Sequence, residues 1–135
     1  MRRVALIAGL AAFAGLVGAP ASEAGRNCSN VVLGTQDSGR TLKLHKCDRV
    51  TISLQEASDG GYRWTVAHAP SKGVLKLVTQ SEGTDVAPPA VGGYSTHSFV
   101  YEAVGKGSTS LKLVEARSFE KHSKIGGFKL SVRVS

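Results

Sequence analysis

Apolar residues alternate with polar ones along most of this 135-residue chain. A period of two is typical of strands with one buried face, whereas a helix repeats its apolar positions every three or four residues. Runs with this pattern lie near residues 31–33, 42–44, 50–54, 64–66, 74–78, 99–103, 111–113 and 128–134, with turn-forming residues between them. The pattern predicts an all-β fold, an immunoglobulin-like antiparallel β-sandwich of about eight strands.

The amino-terminal residues are predicted to be a targeting signal rather than part of the sandwich. Two arginines precede an apolar run at residues 4–17, and small-x-small sequences then end at Ala21 and Ala24. The run is shorter than the roughly 20 residues that span a bilayer, so cleavage is favoured over a membrane anchor. We expect a signal peptide at 1–24, one mature domain at 25–135, and a periplasmic or secreted product that is not attached to a membrane.

The chain has two cysteines, Cys28 and Cys47. In the oxidising compartment that a signal peptide implies, an even count most simply means one disulfide. The chain also has a formal net charge of +7, but its basic residues are scattered singly. This distribution, in an exported product, does not favour nucleic acid as a partner.

Enzyme and metal signatures are sparse. The four histidines lie far apart without a metal-binding spacing, and no Gly-x-Ser-x-Gly elbow is present. Glu56 and Asp59 bracket a turn, but an aspartate at such a position more often hydrogen-bonds to its own turn backbone. The sequence predicts a protein that is not an enzyme and that needs no metal or cofactor.

Two stretches lack the alternation and are too long for hairpin turns. Residues 81–96 are rich in glycine, proline, serine and threonine, and residues 117–127 are polar and partly basic. Both are predicted to be loops, and loops of this length in a compact domain are usually functional or mobile.

Three aromatic residues lie in or near turns. At residues 59–64 a tight Asp-Gly-Gly turn runs directly into Tyr62 and Trp64, and the paired glycines permit a backbone with positive φ. Trp64 is expected to be a structural residue of the core. Tyr62 is expected either to pack beneath the turn or to reach the surface. Phe119, alone in a charged stretch, is either an anchor of its loop or a contact for a partner.

Three stretches together resemble the chagasin family of cysteine-peptidase inhibitors. That family carries Asn-Pro-Thr-Thr-Gly-Tyr-x-Trp in one loop, Gly-x-Gly-Gly in a second and Arg-Pro-Trp in a third, in this order. The positions that match these motifs are Gly61, Tyr62 and Trp64, then Gly92 and Gly93, then Arg117 with the aromatic Phe119. The resemblance extends over roughly residues 50–134.

The sequence departs from the family pattern at each loop. Ala-Ser-Asp-Gly at residues 57–60 replaces Asn-Pro-Thr-Thr, so a flexible tip with a carboxylate replaces a stiffer one with hydroxyls. Ala90 replaces the first glycine of the second motif, and Ser118 and Phe119 replace proline and tryptophan in the third.

The resemblance implies a monomeric inhibitor whose three loops plug the active-site cleft of a papain-like cysteine peptidase. The implied peptidase-binding residues are Ser58, Asp59, Gly60, Gly61 and Tyr62 in the first loop, Val91, Gly92 and Gly93 in the second, and Arg117, Ser118 and Phe119 in the third. The alternative is a non-inhibitory envelope or extracellular binding module with the same fold and a different partner.

Overall fold

The computed structural model describes residues 27–84 and 94–135. The predicted signal peptide and the Val91, Gly92 and Gly93 positions lie outside the described residues. Eight strands are present in the described part of the chain: β1 (Asn30–Leu33), β2 (Arg40–Leu44), β3 (Arg49–Glu56), β4 (Arg63–His68), β5 (Leu75–Thr84), β6 (Ser95–Ala103), β7 (Gly107–Ala116) and β8 (Gly126–Val134). The predicted all-β sandwich is confirmed.

The strands form two four-stranded sheets, in the orders β1-β3-β6-β5 and β2-β8-β7-β4. Most neighbours are antiparallel, but β1 runs parallel to β3 and β2 runs parallel to β8. The β1–β3 pair is parallel because the chain crosses from β1 in one sheet to β2 in the other and then returns to β3. Among residues 27–84 and 94–135, no helix is long and apolar enough to cross a bilayer.

The core lies between the sheets and is built from the inward positions of the alternating strands. In β6 every second residue is buried, and β8 follows the same pattern from Phe128 to Val134. Trp64 is 4% exposed and belongs to this core, as the sequence predicts. The ring of Trp64 lies against Gly126, where an added Cβ would be 3.2 Å from Cη2.

The predicted loop at residues 81–96 is wrong at both ends. Strand β5 continues to Thr84, and β6 already begins at Ser95. The added part of β5 is an edge-strand segment whose described side chains are exposed, so it has no apolar alternation to reveal it. Its backbone pairing with β6 defines it instead. The predicted loop at 117–127 is nearly correct, because β7 ends at Ala116 and β8 begins at Gly126.

The predicted disulfide joins Cys28 to Cys47, with 5.4 Å between the Cα atoms. It lies where β3 begins, since the amide of Arg49 donates to the carbonyl of Ser29. The buried Asp48 carboxylate fixes the same corner by accepting hydrogen bonds from the amides of Ser29 and His45 at 2.9 and 2.8 Å. The disulfide therefore ties β1 to the β2–β3 turn at one end of the sandwich.

Candidate functional site

Three of the connections between strands begin at the end of the sandwich opposite the disulfide. In the strand registers Glu56 pairs with Ser95, Thr84 pairs with Ser95, and Arg63 pairs with Ala116. The connections after β3, β5 and β7 therefore all leave from this end, which we call the tip end. The first loop is residues 57–62 and the third loop is residues 117–125. Of the chain between β5 and β6, the structure describes only Tyr94, which is half exposed.

The first loop is a tight turn that satisfies its own backbone. A single 3-10 turn, Ser58–Gly60, is followed by Gly61 with φ of 84°, a left-handed conformation that favours glycine. The amides of Gly60 and Tyr62 both donate to the carbonyl of Ala57, at 3.1 and 3.3 Å, and the amide of Gly61 donates to that of Ser58 at 2.9 Å. Asp59 and Gly60 are exposed at the apex.

Two buried carboxylates hold the ends of the first loop. Glu115 accepts the amide hydrogen of Ala57 at 2.8 Å, where the loop begins. Glu56 accepts the amide hydrogen of Trp64 at 2.6 Å, just after the loop ends. The two glutamates are 7% and 0% exposed, so water does not compete for these bonds. The shape of the loop is therefore set by side chains of β3 and β7.

Glu56 is the centre of a larger polar network. His97 Nδ1 donates to Glu56 Oε2 at 3.0 Å, and Arg63 Nη1 lies 3.3 Å from Oε1. Burial tends to raise the pKa of Glu56, but the hydrogen bonds from His97 and from the Trp64 amide outweigh it and hold the pKa below its ordinary value. Glu56 is therefore an ionised structural group rather than a proton donor.

Glu56, Glu82 and His97 bring possible metal ligands within 4.8 Å of one another. The guanidinium of Arg63 lies 3.3 Å from Glu56 and 3.8 Å from Glu82. One positive group therefore already pairs with both carboxylates. We interpret the cluster as an ion-pair network that joins β3, β4, β5 and β6 at the tip end.

Arg117 connects the third loop to the first. Its Nε donates to the carbonyl of Gly60 at 2.7 Å, and its guanidinium carbon lies 4.5 Å from the centre of the Tyr62 ring. Nη1 donates to Glu120 at 2.8 Å, and this hydrogen bond raises the pKa of the arginine. One planar group thus contacts the apex of the first loop and the Glu120 side chain of the third loop. Tyr62 is half-buried beneath it, so both of its expected positions are partly realised.

The third loop is also internally braced. The hydroxyl of Ser123 accepts the amide hydrogen of Arg117 at 2.9 Å and lies 2.8 Å from the carbonyl oxygen of Glu120. Ser118 is exposed, and Phe119 is 75% exposed. The ring of Phe119 passes over Gly61, where an added Cβ would lie 3.1 Å from Cε1. Phe119 is therefore not a core anchor. It rests on the first loop with most of its ring in solvent.

The structure brings together the first-loop and third-loop residues that the sequence singled out. It adds two that sequence reasoning missed as supports of the loops, Glu56 and Glu115. Their signal was the alternation itself: Glu56 continues the inward series of Val50, Ile52 and Leu54, and Glu115 follows Leu113 by two. A carboxylate on the buried face of a strand has to find hydrogen-bond donors.

Comparisons with known proteins point to one family. Residues 43–132 match the model of the Chagasin family peptidase inhibitor I42. No curated protein sequence matches the chain. The solved structure of the cysteine protease inhibitor EhICP2 from Entamoeba histolytica is similar, with a TM-score of 0.72 and 20% identity over 82% of this chain and 99% of that one.

Two further solved structures are similar. Amebosin has a TM-score of 0.61 and 18% identity over 81% of this chain and 100% of its own. PbICP-C, solved in complex with falcipain-2, has a TM-score of 0.59 and 15% identity over 82% of this chain and 95% of its own. At these identities the likeness to the solved structures is one of fold.

Proposed function

Because the chain belongs to the chagasin family of peptidase inhibitors, we propose that it reversibly inhibits papain-like cysteine peptidases by inserting its tip end into the active-site cleft. The first loop lies over the catalytic cysteine, and the second and third loops contact the walls of the cleft. PbICP-C, which shares the fold, was solved in complex with falcipain-2. No cofactor takes part, and a single copy of the chain presents all three loops.

The observation that carries the proposal is an exposed aromatic ring on a fixed support. Phe119 is 75% exposed and lies on Gly61, while Arg117 bonds to the carbonyl of the adjacent Gly60. An aromatic side chain held in place before binding loses little conformational entropy when it is buried by a partner. Asp59 and Gly60 project beside it as the leading edge of the same surface.

The shape of the first loop explains why such an inhibitor resists cleavage. A peptidase cleaves a chain that lies extended along its cleft, but residues 57–62 form a closed turn. The carbonyls of Ala57 and Ser58 already accept hydrogen bonds from within the loop. Glu56 and Glu115 fix both ends from the buried side, so opening the turn into an extended segment breaks several buried interactions.

We also propose that residues 1–24 direct export and are removed, leaving a monomeric periplasmic or secreted inhibitor. The disulfide between Cys28 and Cys47 supports this proposal, because such bonds persist in oxidising compartments.

The direct test is steady-state inhibition of papain and of a cathepsin-L-type peptidase by residues 25–135. We expect saturable inhibition, and we expect Phe119→Ala to raise the inhibition constant about tenfold with little change in melting temperature. Val32→Ala is the matched control, since Val32 is 64% exposed but lies in β1, away from the tip end. A folded protein that fails to inhibit at high micromolar concentration would contradict the proposal, and so would equal effects of the two substitutions.

A further inference from the structure

A cavity of about 410 Å³ opens on the side of the sandwich between the edge strands β4 and β5. Its walls are mainly apolar and include Val66, Leu75, Leu77 and Pro70, with Tyr101 from β6. The volume is within the range of small-molecule sites, which are also largely apolar with a few polar groups that orient the ligand. We call this cavity the edge pocket.

Tyr101 provides one such polar group. The residue is 1% exposed, and burial raises the pKa of its hydroxyl. Within residues 27–84 and 94–135, no group forms a hydrogen bond with this hydroxyl. A buried hydroxyl without a hydrogen-bond partner is unfavourable. A molecule that accepts a hydrogen bond from it is therefore stabilised in the pocket.

The charge of the pocket is positive. Lys72 and Lys76 contribute to its lining, and no acidic residue does. Neither lysine forms an ion pair with a carboxylate of the described ranges. The complementary ligand therefore has an apolar body and an anionic group that accepts hydrogen bonds.

We propose that the edge pocket binds a small amphipathic carboxylate of the medium-chain fatty-acid type. The carboxylate accepts a hydrogen bond from Tyr101 and pairs with Lys72. The hydrocarbon chain packs on Val66 and Leu77 and on the other apolar walls.

The pocket is separate from the peptidase-binding surface. Tyr101 pairs with Val50 and Leu77, in the half of the sandwich nearer the disulfide. The β4–β5 connection that closes the pocket likewise lies away from the tip end. Binding there leaves the first and third loops accessible, so this proposal does not depend on the proposed inhibition.

The test is titration of the purified, isotopically labelled protein with decanoate, followed by amide chemical shifts and by calorimetry. We expect saturable shifts grouped around Val66, residues 75–77 and Tyr101. Decanol and acetate are the control ligands, and each is expected to bind at least tenfold more weakly because one lacks the charge and the other lacks the chain. The absence of shifts, shifts elsewhere, or equal binding of decanol would overturn the proposal.

Two variants test the residues. Tyr101→Phe keeps the ring and removes the hydroxyl, and we expect it to weaken decanoate binding about fivefold. Lys72→Gln changes an exposed position that does not threaten folding, and we expect it to weaken binding and to remove its salt dependence. Unchanged affinity in the lysine variant, or in a folded Tyr101→Phe protein, refutes the assigned contacts. A papain assay with and without decanoate should give the same inhibition constant.

Discussion

Replacing Glu56 by glutamine tests whether a buried charge holds the first loop in shape. The carboxylate accepts hydrogen bonds from the Trp64 amide at 2.6 Å and from His97 at 3.0 Å, and it is 0% exposed. Glutamine has almost the same volume, so the substitution removes the charge without leaving a cavity. Its oxygen can still face Trp64 and His97, but its amide group then points at the guanidinium of Arg63.

The expected cost follows from these contacts. Two buried charge-assisted hydrogen bonds become neutral ones, and each change costs about 1 kcal/mol. The Arg63 contact adds little, because that side chain is 50% exposed and water screens it. We expect a loss of about 2 kcal/mol in the free energy of unfolding, or about 8 °C in melting temperature for a domain of this size.

Urea denaturation at pH 7 measures the loss, with Glu102→Gln as the control. Glu102 also pairs with an arginine, Arg49, but its side chain is 32% exposed and lies away from the tip end. We expect the control to stay within about 0.5 kcal/mol of the unmodified protein. If Glu56→Gln is as mild as Glu102→Gln, the reasoning about the buried charge is wrong.

The pH dependence gives a second readout for Glu56. Its pKa is lowered in the folded state, so the unfolded state binds more protons in acid. The stabilisation is therefore complete above the ordinary glutamate pKa and is lost as the pH falls through the lowered folded value. The difference between the unmodified protein and Glu56→Gln should shrink over that window. Asp37 also has a lowered pKa, due mainly to the Gly34 amide, but its contribution is the same in both proteins and cancels.

Two other substitutions test the frame of the sandwich. Gly126→Ala places a methyl group 3.2 Å from the ring of Trp64 and should lower the free energy of unfolding by about 1–3 kcal/mol. The control is Gly83→Ala, whose added methyl group has no neighbour within 4 Å and should cost less than about 1 kcal/mol. Equal melting temperatures for the two would contradict the close approach. Replacing Cys28 and Cys47 by serine should lower the unfolding free energy by about 3 kcal/mol and leave peptidase inhibition unchanged at 25 °C, because the disulfide is at the far end. A lost inhibition in a folded variant would show that the two ends are coupled.

The sequence predicts the strands best where one face is buried. In β6 and β8 the alternation maps directly onto the buried positions. The predicted core residue Trp64, in β4, is buried as well. The second half of β5 escapes prediction because an exposed edge strand needs only backbone partners, and those come from β6. The family that the three motifs suggested is confirmed, and with it the prediction that the chain is an inhibitor and not an enzyme.

The candidate site is harder to derive from sequence than the fold. The motifs mark Gly61, Tyr62 and Arg117, but only the fold shows that one guanidinium touches both loops. The roles of Glu56 and Glu115 depend on hydrogen bonds to backbone amides of other chain segments. No local sequence pattern predicts which amide each carboxylate binds. The peptidase contacts themselves stay a prediction, as does export.

The sequence separation between Glu115 and the loop that it supports has a consequence for how the protein matures. Ala57 and Glu115 are 58 residues apart, and the Glu56 network reaches His97, 41 residues away. The first loop therefore cannot reach its final shape through contacts between neighbouring residues alone. Contacts between residues that are far apart in the sequence slow folding. A nascent or partly folded chain already contains the loop residues, but it has not yet formed the tip end that they build. Inhibitory capacity should appear together with the last strand pairings, in one cooperative step.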